Sequence, residues 1–129
     1  LEFVAVKEAL GSGEPGRLLL LHHTHRNVAA PHANFTSEMI VRDSLVHEVD
    51  LSRFLFREEI TEVTVLSPAP TAHAGAGIVD PQVALFRMSG GGLVTAEVFI
   101  NGQGRRRRLL RGRRRAGLAH GRAVVARAP

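Results

Sequence analysis

The sequence predicts an α+β domain with helices on one face of a largely antiparallel sheet. Three observations predict it: a long segment with helical apolar spacing, short alternating runs rich in β-branched residues, and a strong hairpin signature late in the chain. In residues 2–10 (EFVAVKEAL), Phe3, Val6 and Leu10 recur at helical spacing, and Gly11–Gly16 with Pro15 ends the helix in a turn. Residues 17–26 (RLLLLHHTHR) pass from apolar to histidine-rich, as a strand leaving the core does. Simple alternation would set Leu19, Leu21, His23 and His25 on one face and Leu18, Leu20, His22 and Thr24 on the other. Residues 27–33, with Pro31, read as a loop. Thr36 or Ser37 offers an N-cap and Glu38 complements the positive helix end. They open a helix over Met39–Phe56 whose apolar face carries Ile40, Leu45, Val49 and Phe54–Leu55. Glu62–Leu66 alternates as a strand, stopped by Pro68 and Pro70, and a loop follows over 69–81. Gln82–Met88 and Leu93–Ile100 flank the glycine-rich turn Ser89–Gly92 as a β-hairpin.

At 129 residues the chain has room for one domain with a substantial core, and 44% hydrophobic with 22% charged residues is a soluble globular composition. The lack of cysteine excludes disulfides and thiolate metal sites and fits a reducing cytoplasm. The longest apolar run, Leu18–Leu21, is too short to span a bilayer, and no signal-peptide pattern opens the chain, so no membrane partner is expected. The chain starts without methionine, in what reads as the middle of an element, and is expected to be a fragment.

A net charge of +5 would ordinarily point to nucleic acid, but the charge is divided unevenly. Residues 1–104 hold all 12 acidic residues against 7 basic ones, whereas 105–129 carry 10 arginines and no acid. From Gly102 onward only residue types with codons beginning in G or C occur, and binary patterning is lost. The sequence therefore predicts a body over 1–101 and an Arg-rich tail over 102–129, disordered or read out of frame. Binding of nucleic acid through that tail is the less favoured alternative.

Residues four apart on a helix differ by about 40° in direction, so Asp43 and His47 would share a face, with Asp50 extending the stripe and Arg42 and Ser44 flanking it. A carboxylate beside an imidazole can fix its tautomer and favour its protonated form, which suits a general base near neutral pH. Spacing alone leaves three readings open: an ordinary solvated pair, a metal site adding His23 and His25, or an acid/base pair.

The string SEMIVRDSLVHEVDLSRFL, preceded by HTHRN and followed by EEITEVTVLSP, resembles the C-terminal domain of the Gfo/Idh/MocA oxidoreductases, on their inositol 2-dehydrogenase branch. The opening EFVAVKEALGSGEPGR and the hairpin DPQVALFRMSGGGLVTAEVFIN are similar to that family too, and the likeness covers roughly residues 1–101. It implies hydride transfer between a polyol or sugar hydroxyl and NAD (or NADP), with His47 taking the hydroxyl proton and Asp43 orienting it. By matching positions, His25, Asn27, Ser44 and Asp50 would line the polyol pocket, His22 and His23 would be structural, and no metal ligand is implied. The family's cofactor would be bound mainly by a domain absent from this chain: no glycine-rich turn follows a first strand, and Gly11–Gly16 follows a helix instead. The Glu-Lys-Pro motif and the tyrosine-bearing stretch expected of the family are missing, so the domain reads as incomplete and inactive alone. Full-length relatives are expected to be homo-oligomers. A non-catalytic sugar-binding module is the alternative reading.

Overall fold

In the computed structural model the described residues are 2–12, 16–30, 33–102 and 122–127. Helix α1 spans Glu2–Gly11, and strand β1 spans Leu18–Arg26. A continuous helical segment follows: one turn of α2 (Ser37–Met39), a π-helical turn (Ile40–Leu45) and α3 (Val46–Phe56). Thr36 is the N-cap, its hydroxyl accepting from Met39 N–H. Strands β2 (Ile60–Leu66), β3 (Gln82–Met88), β4 (Leu93–Phe99) and β5 (Arg122–Arg127) complete the chain.

The strands form one sheet in the order β2-β3-β4-β1-β5. Only β1 and β4 run parallel; the other neighbours are antiparallel. Alternation along β3 and β4 sends Ala84, Phe86, Met88, Val94, Ala96 and Val98 into a core shared with Leu21, Ile40, Leu45, Leu55 and Phe56. The opposite face leaves Leu85 and Leu93 exposed. The expected α+β architecture, with helices on one face of a largely antiparallel sheet, is thus what the chain adopts.

Four details differ from the sequence reading. Leu18 is buried and Leu19 exposed, because a register irregularity between Leu18 and Leu20 resets the alternation before Leu21 and His23. Phe54 lies outside the core, with the Lys7 ammonium of α1 3.4 Å from its ring centroid. The expected uniform helix contains a wider turn, in which Val46 N–H reaches back to Val41 O. Finally, residues 122–127 (RAVVAR) are a strand paired with β1 and not an unpatterned stretch, their adjacent β-branched valines suiting a pleated surface. The rest of the arginine-rich tail, 103–121 and 128–129, lies outside the described residues.

Candidate active site

The helix over 37–56 presents two different polar faces. Asp43, His47 and Asp50 are all exposed, on the side turned away from the core. Asp43 and His47 are nevertheless not bonded to each other. Asp43 Oδ1 accepts from Arg42 Nε at 3.0 Å, and this pair holds the Arg42 guanidinium above its ordinary pKa. The wider turn over Ile40–Leu45 explains the separation in part: it alters the α-helical angular step on which the expected pairing rested, and Arg42 lies beside the carboxylate. Ser44, expected at a polyol pocket, is 5% exposed and buried on the inner side with Ile40 and Leu45.

The inner face carries polar groups that periodicity alone did not single out. Glu48 and Ser52 face β1, where His23 and His25 point inward. His25 Nδ1 lies 3.1 Å from Glu48 Oε1, with the two side chains 12% and 9% exposed. His23 Nε2 is 3.0 Å from Ser52 Oγ, and Ser52 Oγ donates at 2.6 Å to the Glu48 carbonyl. A serine hydroxyl has one proton, which the carbonyl takes, so Nε2 of His23 must be the donor to Oγ. Burial lowers the pKa of His23 from 6.5, against an opposing effect of the Glu48 charge and with a smaller lowering by His22. His23 is therefore a neutral imidazole protonated on Nε2. The signal that could have revealed this face is the spacing Ser44, Glu48, Ser52, which places three polar residues at successive turns of the helix side that also bears Ile40 and Leu55.

Asn27 follows β1 directly. Its N–H donates to Phe99 O at 2.9 Å, and its carbonyl accepts from Gly102 N–H at 2.9 Å. A buried latch holds this corner. Asp80, fully buried, accepts from Ile100 N–H (2.8 Å), Asn101 N–H (2.8 Å) and Asn101 Nδ2 (3.0 Å), while Asn101 Oδ1 accepts from Ala30 N–H (3.0 Å). The latch thus fixes the start of the loop that carries Asn27.

Among the described residues no cluster of three or more His, Asp or Glu is placed to hold a metal ion. His23 and His25 are instead engaged by Ser52 and Glu48. No helix among these residues is long and apolar enough to cross a membrane.

Residues 3–116 match the GFO/IDH/MocA C-terminal domain. The chain belongs to the GFO/IDH/MocA family. Among curated relatives of this GFO/IDH/MocA chain, inositol 2-dehydrogenase from Streptomyces avermitilis is 49% identical over 100 residues, covering 78% of this chain and 29% of that protein. Inositol 2-dehydrogenase from Rhodococcus erythropolis is 50% identical over 99 residues, covering 77% and 28%. The chain thus spans under a third of the length of these relatives. Among solved structures, myo-inositol dehydrogenase from Lactobacillus casei, in complex with NAD(H) and myo-inositol, superposes with a TM-score of 0.74 at 29% identity, covering 78% of this chain and 30% of that one. The GFO/IDH/MocA match extends past Asn101, into the arginine-rich segment.

Proposed function

We propose that this chain is the substrate-binding part of an NAD- or NADP-dependent inositol or polyol dehydrogenase. The observation that carries the reading is the exposure of Asp43, His47 and Asp50 together on one helix surface, in a chain about half identical to inositol 2-dehydrogenases. On this reading His47 accepts the proton of the hydroxyl undergoing oxidation, and Asp43, released from Arg42, orients His47 and a neighbouring hydroxyl. His25, Asn27 and Asp50 supply further hydrogen-bond partners, as a substrate covered in hydroxyls requires. Ser44, placed in the pocket by the resemblance, would need to leave its buried position to take part.

The described residues do not fit the nucleotide: Gly11 ends α1, so no glycine-rich turn leads from a strand into a helix there. The dinucleotide, which serves this chemistry as hydride acceptor, would be held by a domain outside this chain. The Cys-free composition is compatible with a cytoplasmic setting.

The test replaces the matching segment of the Streptomyces avermitilis enzyme with residues 1–102 and follows NADH formation from myo-inositol. Turnover is expected, with His47→Ala lowering it by roughly 10²–10⁴-fold, the range of a general base. A folded chimera that binds myo-inositol without oxidising it would leave the sugar-binding module as the better reading.

A further inference from the structure

The polyol reading uses His25 but gives Glu48 no part, although Glu48 carries a buried oxygen with no hydrogen-bond partner. Its side chain is 9% exposed; Oε1 faces His25 Nδ1, and Oε2 is the one buried side-chain oxygen or nitrogen among the described residues without a hydrogen-bond partner. A carboxylate taken out of water with one oxygen unsatisfied contributes little to stability, and often less than an apolar replacement would. What the arrangement does achieve is directional. An ionised carboxylate can only accept, so Nδ1 of His25 must carry a proton. The other ring nitrogen, Nε2, has no protein partner, yet it does not belong to the buried unsatisfied atoms, so it reaches solvent. Glu48 also follows His47 directly, so the carboxylate inside and the exposed imidazole outside share one turn of α3.

We propose that Glu48 is a positioning residue for polyol recognition: it fixes the proton of His25 on Nδ1 and thereby presents Nε2, unprotonated, as an acceptor for a substrate hydroxyl. The proposal rests on the reading that His25 lines the polyol pocket. It differs in kind from the role of His23, which lies on the same strand face but is protonated on Nε2 and occupied by Ser52. Two histidines two residues apart are thus held in opposite tautomers by two residues of one helix face. The unprotonated nitrogen is therefore Nδ1 in His23 and Nε2 in His25, the one nearer the end of β1.

The test is nitrogen-15 NMR of the histidine rings in the 129-residue chain, followed with rising pH until the ring signals stop moving, so that neutral tautomers are compared. In the wild type, His25 should be the Nδ1–H tautomer and His23 the Nε2–H tautomer, and saturating myo-inositol should shift Nε2 of His25. Glu48→Ala should return His25 to the Nε2–H form that free imidazole favours, and should weaken the myo-inositol response. His23 should keep its Nε2–H tautomer, as the mark of an intact fold. If Glu48→Ala does not fold, the wild-type spectrum still decides: His25 protonated on Nε2 overturns the proposal. His25 retaining Nδ1–H in a folded Glu48→Ala chain overturns it as well. If Nδ1–H depends on Glu48 but myo-inositol leaves His25 unmoved, the polyol reading fails while the link between Glu48 and the tautomer stands.

Discussion

At the scale of single residues, the inner polar face makes His23 a source of pH dependence. Its pKa is lowered in the folded chain, chiefly by burial, so below the unfolded value of 6.5 the unfolded chain binds a proton that the folded chain resists. Stability from this group is complete above 6.5 and is lost as pH falls through the lowered folded value. Urea midpoints measured from pH 7.5 down to about 5.5 should therefore decline, and His23→Gln should flatten that decline before the carboxylates begin to titrate. An equal slope in the variant would remove His23 as the cause. The exposed candidates Asp43, His47 and Asp50 could be named from helical spacing and the family resemblance, because they lie on one element. Glu48 and Ser52 could not, because their partners His23 and His25 lie on a strand more than 20 residues away. Spacing within one element cannot report contacts of that kind.

At the scale of elements, the hairpin joining β3 and β4 shows how closely the turn is fitted to α3. Gly91 takes a positive φ of 89°, and a Cβ on Gly92 would come within 2.2 Å of the Phe56 ring. Phe56 is buried at the end of α3, so the ring has little room to retreat. Gly92→Ala is expected to destabilise the chain by about 1–3 kcal/mol, as overpacking typically does, seen as a lower urea midpoint with unchanged slope. The hairpin, α1, the N-cap at Thr36 and the β2 segment were readable because turn chemistry and periodicity act locally. The π-helical turn was not, since IVRDSL has nothing in its composition that distinguishes it from an α-helical stretch. Ile40 and Leu45 on that turn, and Leu55 and Phe56 at the far end of the helix, are all buried in the core. Nor was β5 readable, because RAVVAR is a strand by virtue of the β1 edge that receives it.

At the scale of the molecule, one carboxylate ties distant parts of the chain together. Asp80 meets Ile100 and Asn101, which lie 20 and 21 residues later, and Asn101 meets Ala30, 71 residues earlier. Asp80→Ala would leave three buried donors unpaired and should cost about 3–5 kcal/mol, with hydrogen exchange rising at both 27–30 and 100–102 and not at one alone. The sheet order was only partly foreseeable for the same reason: the parallel pairing of β1 with β4 joins segments about 70 residues apart, which no local pattern encodes. The latch also sets how much of the chain the corner requires. In a chain ending at Phe99, both strands of the main hairpin are complete, yet Asp80 has none of its three donors. Burying it in that state carries the full desolvation penalty, so the corner around Asn27 is expected to stay open without Ile100 and Asn101. Closure of the corner is thereby conditional on the two residues that follow β4, and a chain ending at Phe99 is expected to keep the Asp80 carboxylate in water where the longer chain buries it.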